Sequence, residues 1–121
     1  MKKFMPIILA VAAAAALLAG CASKISTPRI EEVTFDESDA PVLTWKPVRN
    51  VHFYELKVSL NPDFDIHPGT YRYSVMGTAK RLDFDMRYYR YYFWRVRAVH
   101  WDGSKSDWSV KGNFRPELPE N

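Results

Sequence analysis

The stretch from Tyr91 to Val99 reads Tyr-Tyr-Phe-Trp-Arg-Val-Arg-Ala-Val, and its aromatic and β-branched residues predict a β-strand. Because side chains alternate across a strand, one of its faces is predominantly apolar. That face carries Tyr92, Trp94, Val96 and Ala98. The opposite face combines aromatic rings with two guanidinium groups, and it carries Tyr91, Phe93, Arg95, Arg97 and Val99. We expect the first face to lie in the core and the second to form the most distinctive surface of the molecule.

The rest of the chain contains six further short segments of strand-like composition, separated by turns. They cover residues 28–35, 41–45, 52–60, 71–76, 82–86 and 108–114. In the third segment alternation places Tyr54, Leu56, Val58 and Leu60 inward and Phe53, Glu55, Lys57 and Ser59 outward. No segment keeps a helical period over about eleven residues. Residues 28–115 are therefore predicted to form one all-β domain, a seven-stranded antiparallel β-sandwich.

The N-terminus has the outline of a secretory signal peptide. Lys2 and Lys3 precede an apolar run over residues 5–18, and small residues follow it. The run is about fourteen residues long, whereas a helix that crosses a bilayer needs roughly twenty. We therefore interpret residues 1–20 as a cleaved signal rather than a permanent membrane span.

The end of this signal, Leu18-Ala19-Gly20-Cys21, resembles the bacterial lipobox. The resemblance implies cleavage before Cys21 and attachment of a diacylglyceryl group and a further acyl chain such as palmitate. Two or more chains give stable anchoring, so residues 21–27 are expected to be an acylated cysteine and tether. Because Ala22 follows the cysteine instead of an aspartate, the resemblance implies an outer-membrane lipoprotein if the organism has two membranes.

The charge balance argues against a nucleic-acid partner. The full sequence has 17 basic and 14 acidic residues, and loss of Lys2 and Lys3 with the signal leaves 15 basic residues. A nearly neutral domain is not a general polyanion binder. Cys21 is the only cysteine, so the domain is expected to rely on apolar packing without a disulfide.

No constellation of residues points to catalysis, to a metal or to a cofactor. His52, His67 and His100 are isolated in the sequence and do not pair with a nucleophile in any motif. Asp63 and Asp65 have the spacing of half a calcium loop, but the glycine and distal glutamate that complete one are missing. We predict a protein that is not an enzyme, and that uses no cofactor.

Residues 28–115 resemble a fibronectin type III domain of the bacterial kind. The resemblance rests on Leu-Thr-Trp at 43–45, Tyr-Glu-Leu-Lys-Val-Ser at 54–59, Asn-Pro-Asp-Phe at 61–64, Tyr-Phe-Trp-Arg-Val-Arg-Ala-Val at 92–99 and Gly-Ser-Lys-Ser-Asp-Trp-Ser at 103–109. It implies a core shared by Trp45, Tyr54, Trp94 and Val96 and a backbone partner for the Tyr92 hydroxyl. One departure is the missing proline in the corner that precedes Tyr92, which is expected to loosen that turn. The polar tail at 116–121 lies beyond the domain.

The resemblance also implies that segments 52–60 and 91–99 are neighbours. Phe53 and Phe93 would then stack, Glu55 and Lys57 would lie near Arg95 and Arg97, and Trp108 would cover an arginine. This arrangement resembles the tryptophan-arginine ladder of cytokine-receptor fibronectin domains, where the ladder is structural. A structural role and a binding role both stay open. The candidate partner surface comprises Phe53, Tyr91, Phe93, Arg95, Arg97, Trp101 and Trp108.

Two functions follow from this surface. The first is a membrane-anchored lipoprotein of the cell envelope whose fibronectin-like module docks onto another envelope protein, since exposed aromatic residues with arginine are typical of interface centres. The alternative is glycan or peptidoglycan binding, with Tyr91, Phe93 and Trp101 as stacking platforms.

Overall fold

The computed structural model describes residues 25–64 and 69–118. The predicted signal peptide, Cys21, His67 and Asp65 lie outside the described residues, as does the end of the polar tail. Nowhere in those two ranges is there a helix long and apolar enough to span a membrane.

Seven antiparallel strands form two sheets. They are β1 (Thr34–Phe35), β2 (Pro41–Thr44), β3 (Val51–Ser59), β4 (Thr70–Val75), β5 (Ala79–Arg81), β6 (Tyr92–His100) and β7 (Gly112–Phe114). One sheet has the order β1-β2-β5 and the other the order β4-β3-β6-β7. The predicted all-β, seven-stranded sandwich is confirmed.

The core lies between the two sheets and is built on aromatic contacts. The ring centroids of Trp45 and Tyr54 are 5.5 Å apart and those of Trp45 and Trp94 are 6.4 Å apart. Val96 is completely buried beside them. The predicted core of these four residues is confirmed, and edge-to-face or tilted packing of this kind adds to the stabilisation from burial.

Several predicted strand boundaries are wrong. Segment 82–86 is not a strand, because the ladder of the small sheet ends at Arg81. Its Leu82, Phe84 and Met86 nevertheless turn toward the core, and this burial produced the misleading alternation. The predicted strand at 28–35 is reduced to β1 and a single bridge between Ile30 and Trp45. The predicted strand at 108–114 is reduced to the three residues of β7.

Ser59 was predicted to point outward from its strand, and its burial is a finding of the structure. It lies at the outward register position of β3 but is fully buried. Its hydroxyl is satisfied there, because it shares a hydrogen bond of 2.7 Å with the Thr70 hydroxyl and accepts one from the Asn61 backbone N–H. Polar atoms can be buried at little cost when they are hydrogen-bonded in this way.

The corner before β6 is tied by a tyrosine, as predicted. The Tyr92 hydroxyl accepts a hydrogen bond of 2.8 Å from the backbone N–H of Arg87. Tyr89 adopts a positive φ of 62° in this corner, and its N–H donates to the carbonyl of Pro116 at 2.7 Å. The corner is therefore held by two hydrogen bonds, although it lacks the proline that the resemblance led us to expect before Tyr92.

Replacing Tyr92 with Phe is expected to destabilise the fold. The change leaves the Arg87 N–H without its acceptor, and an unsatisfied donor costs about 1 to 3 kcal/mol. Urea unfolding followed by circular dichroism measures the loss. Tyr88→Phe is the matched control, because the Tyr88 side chain is exposed; equal stability of the two variants would contradict the role of the corner.

Candidate functional site

The outward face of the four-stranded sheet is ordered by the pairing of β3 with both neighbours. Lys57 lies opposite Arg72 of β4 and opposite Arg95 of β6. Two residues earlier in β3, on the same face, Glu55 lies opposite Arg97 of β6. We call Arg72, Lys57 and Arg95 the cationic row. The predicted neighbourhood of Glu55 and Lys57 with the two arginines of β6 is confirmed.

Two serines hold Trp108 over this face, although it lies outside any strand. The Ser106 N–H donates to the Ala98 carbonyl at 2.9 Å, and the Ser106 hydroxyl accepts from the Ala98 N–H. Ser109 repeats the pattern with Val96, donating its N–H at 2.9 Å and accepting at 3.1 Å. Each serine therefore satisfies both the backbone N–H and the carbonyl of one β6 residue, as a residue of a neighbouring strand would do. The segment between them is fixed alongside β6.

The arginines of β6 and two aromatic rings form a stack that we call the ladder, made of Phe64, Arg95, Trp108 and Arg97. The Arg95 guanidinium carbon lies 4.5 Å from the Phe64 ring centroid and 4.7 Å from that of Trp108. The Arg97 guanidinium carbon lies 4.3 Å from the Trp108 centroid. The predicted contact of Trp108 with an arginine is confirmed, and each such contact contributes about 0.5 to 2 kcal/mol.

Phe64 is the member of the ladder that sequence reasoning missed. It ends the Asn61–Phe64 turn with a φ of 57°, and its N–H donates to the Asn61 carbonyl at 3.0 Å. A positive φ is uncommon for a bulky aromatic residue, and the side chain is 4% exposed. The sequence signals were its place at the end of the Asn-Pro-Asp-Phe segment at 61–64 and its large apolar side chain directly after a turn, and neither indicates a contact with Arg95.

Glu55 neutralises one end of the ladder. Its carboxylate accepts a hydrogen bond of 2.7 Å from Arg97 Nε, and Lys105 Nζ lies 3.4 Å away. Burial raises the pKa of Glu55, but the hydrogen bond and charge of Arg97, aided by Lys105, outweigh it and hold the pKa below its ordinary value of 4.5. Arg97 is thus both stacked and ion-paired.

The cationic row has no such partner. Within residues 25–64 and 69–118, no carboxylate forms an ion pair with Arg72, Lys57 or Arg95. Burial and the charges of Arg72, Arg95 and Arg97 lower the pKa of Lys57, and the charge of Glu55 offsets part of this shift. Burial, with a smaller effect of Arg97, lowers the pKa of Arg95. Like charges directly opposite each other on a sheet are destabilising. An anion bound beside the row would reduce the repulsion among its three cations.

A groove of about 170 Å³ lies beside two members of this row, Lys57 and Arg72. Trp108 forms one wall, 5.1 Å from Lys57 Nζ, and the ion-paired Glu55 and Arg97 also line the groove. Arg95 Nε lies nearby, buried and without a hydrogen-bond partner in the described part of the chain. The groove thus combines an aromatic wall, the Glu55–Arg97 ion pair and two cations, Lys57 and Arg72, that form no ion pair within residues 25–64 and 69–118. A carboxylate-bearing ligand would complement these two cations.

Other predicted surface residues lie away from the groove. Phe53 pairs with Val99 and Phe93 pairs with Ser59, so the two phenylalanines are about 20 Å apart along the strands. The predicted Phe53–Phe93 stack is therefore wrong. Register is decided by pairing across the whole sheet, and alternation alone could not reveal it.

The three aromatic residues of the glycan alternative do not form one platform. Tyr91 precedes β6 and Trp101 follows it, so about 30 Å of strand separates them. Phe93 is half-buried near the Tyr91 end. Trp101 is stacked on His52 with centroids 3.9 Å apart. Arg115 approaches the rings of Tyr89 and Tyr91 at 5.6 and 5.9 Å.

The described histidines are engaged in other contacts. His52 packs against both Trp101 and Phe53, and His100 Nδ1 lies 3.5 Å from an Asp102 carboxylate oxygen. Across residues 25–64 and 69–118, no group of three or more His, Cys, Asp and Glu side chains is suited to a metal ion.

Comparison with known proteins places the fold. No protein-family model and no curated protein matches the chain. A Fn3-like protein from Clostridium thermocellum is 18% identical with a TM-score of 0.55, over 81% of this chain and 98% of that one. The sixth fibronectin type III domain of human fibronectin type III domain containing protein 3 is 14% identical with a TM-score of 0.64, over 82% and 92%. A β-1,2-glucanase from Parabacteroides distasonis is 17% identical with a TM-score of 0.61, over 81% of this chain and 13% of the glucanase. At these identities the likeness shows the fold, and the predicted fibronectin type III-like fold is confirmed.

Replacing Glu55 with Gln is expected to change how stability depends on pH. A carboxylate whose pKa is lowered by folding stabilises the native state above its unfolded pKa, and this contribution is lost as the pH falls through its folded pKa. The wild type should therefore be more stable than Glu55→Gln at pH 7, and the gap should shrink below about pH 4.5. Urea midpoints across pH measure the gap. Glu37→Gln, at an exposed position, is the control; a pH-independent gap for Glu55→Gln would contradict the ion pair.

Proposed function

We propose that this chain is a non-catalytic, lipid-anchored module of the bacterial cell envelope that binds an acidic segment of a protein partner in the groove beside Trp108. The fibronectin-like fold supports a role in protein interaction, because domains of this type are generally modules without catalytic activity. The lipobox at residues 18–21 supports acylation of Cys21 and membrane anchoring. An outer-membrane location applies to an organism with two membranes.

The cationic row is the observation that carries this proposal. Lys57 faces Arg72 on one side and Arg95 on the other, and it forms no ion pair with a carboxylate among the described residues, where only the charge of Glu55 opposes the three cations around it. A sequence selected for stability alone would place an acid or a neutral residue in such a row. Asp or Glu side chains of a partner would satisfy the row, and charge-assisted hydrogen bonds to carboxylates are among the stronger polar contacts.

The groove is also preorganised. Arg95 is held between Phe64 and Trp108, and Arg97 is held by Trp108 and Glu55. Side chains that are already fixed lose little rotamer entropy when a ligand binds. The ladder is thus structural in its contacts and useful for recognition, so the two roles left open by the sequence are compatible.

The first test separates stability from binding. Arg72 is exposed at the free edge of the sheet, and Arg72→Ser removes repulsion of about 0.2 to 1 kcal/mol. We expect this variant to be as stable as the wild type or slightly more stable in urea unfolding at low salt. Arg97→Ser, which breaks the Glu55 pair and the ladder, should be less stable. A clear loss of stability in Arg72→Ser would mean that the row is structural, and would contradict the proposal.

The binding test uses the full lipoprotein, captured from native envelopes after crosslinking. Lys57→Gln with Arg72→Gln removes two charges of the groove and the contact of Lys57 with Trp108, and it leaves the ring contacts of Arg95 and Arg97 in place. Arg87→Gln with Arg90→Gln removes the same charge from the exposed corner before β6. We expect one protein to co-purify with the wild type and the corner variant but to be lost from the groove variant, and an acidic peptide from that protein to compete. Equal capture by both variants would overturn the groove, and enrichment of muropeptides alone would favour the glycan alternative.

A further inference from the structure

The end of the sandwich where the described chain begins has a surface unlike the rest. Three segments meet there: residues 25–29, residues 46–52 and the turn at 100–104. Ile25 packs against the core, and it lines the same surface pocket as Lys46, Arg49 and His100. We call this end of the sandwich the N-terminal pole.

The pole is close in sequence to the proposed anchor. Ile25 is the fourth residue after Cys21, and a fully extended chain spans at most about 3.6 Å per residue. Ile25 therefore lies within about 15 Å of the acylated cysteine. A bilayer that holds the acyl chains of Cys21 brings its headgroups to this pole.

The pole carries an exposed tryptophan on a fixed turn. Trp101 is 67% exposed, and one face of its ring is supported by His52 at a centroid distance of 3.9 Å. The turn is closed by hydrogen bonds from the His100 N–H to the Ser104 carbonyl at 2.8 Å and from the Gly103 N–H to the His100 carbonyl at 3.0 Å. Gly103 permits this turn because its φ is 89°. The indole is thus held outward at the tip of the molecule.

The charge of the pole is positive. Arg29, Lys46 and Arg49 are exposed, and Asp102 is the only acidic residue in the three segments. Asp102 is occupied locally, because the Ser104 hydroxyl and backbone N–H both donate to it and lower its pKa. Exposed tryptophan flanked by Lys and Arg is the composition that settles at the headgroup level of a membrane.

We propose that the N-terminal pole rests on an anionic bilayer, with Trp101 among the headgroups and Arg29, Lys46 and Arg49 facing lipid phosphates. This inference depends on the proposed lipid anchor at Cys21. In this orientation β3 and β6 run away from the membrane. The cationic row is then reached from the side, and Tyr88, Tyr89 and Tyr91 lie at the end far from the bilayer. Trp101 is assigned to lipid contact rather than to the partner surface or a glycan platform.

The test uses the acylated full chain in vesicles of phosphatidylethanolamine and phosphatidylglycerol whose acyl chains carry bromine near the headgroup. Bromine quenches only nearby tryptophan. Trp45 and Trp94 are buried and Trp108 is covered by arginines, so quenching reports Trp101. We expect emission to fall in brominated vesicles, Trp101→Phe to abolish that fall, and Trp108→Phe to retain it.

A second pair of variants tests the charge. Lys46→Gln with Arg49→Gln should weaken the quenching, and so should vesicles of phosphatidylcholine alone. Arg87→Gln with Arg90→Gln, at the corner before β6, should leave quenching unchanged. If the wild type floats with vesicles but its emission is the same with and without bromine, the membrane-facing pole is overturned and the anchor stands. If the mature protein from native envelopes carries no acyl chains at Cys21 and does not float with vesicles, the proposed anchor is wrong and the inference falls with it.

Discussion

The register between β3 and β6 is the constraint on which the rest of the molecule depends. It brings Arg97 to Glu55 across 42 residues of chain and places Arg95 opposite Lys57. A shift in register occurs between Val51 and Phe53, and a bulge of this kind re-aims the residues beyond it. Because the inward faces of both strands are buried, a slip by one residue would drive charges into the core. The core therefore fixes which charges meet outside.

The outer face of the large sheet shows stabilising and destabilising contacts side by side. Glu55 compensates Arg97, and the aromatic rings of the ladder compensate Arg95 in part. Lys57 is compensated in part by the Trp108 ring, whose centroid lies 5.1 Å from its Nζ, and by the charge of Glu55. Arg72 forms no ion pair or ring contact within residues 25–64 and 69–118, although repulsion among neighbouring cations is what a stable sheet avoids. Proteins tolerate local destabilisation of this sort chiefly at functional sites. The ladder is explained by its ring contacts and its ion pair, whereas a partner is our proposal for Lys57 and Arg72.

The fold also relates the proposed anchor to the proposed binding face. Ile25 lies at one end of the long strands and the exposed tyrosines lie at the other. A short tether would keep the sandwich near the bilayer and restrict its tilt, while the outward face of the large sheet would remain open to the periplasm or to the cell exterior. A partner would then approach parallel to the membrane. The proposed anchor, the N-terminal pole and the groove are all compatible with an orientation in which the long strands point away from the membrane.

The resemblance to fibronectin type III domains implied the contact of Trp108 with arginine and the hydrogen bond of the Tyr92 hydroxyl. The sequence by itself determined the all-β class and the inward faces of β3 and β6, because alternation is a local property of the chain. It misplaced the strand at 82–86, since burial with period two does not require a ladder. Only the tertiary structure decided three features. Phe53 lies far from Phe93, Phe64 packs on Arg95, and Arg72 lies opposite Lys57. These features depend on register and on loop closure between distant segments, which no local pattern encodes.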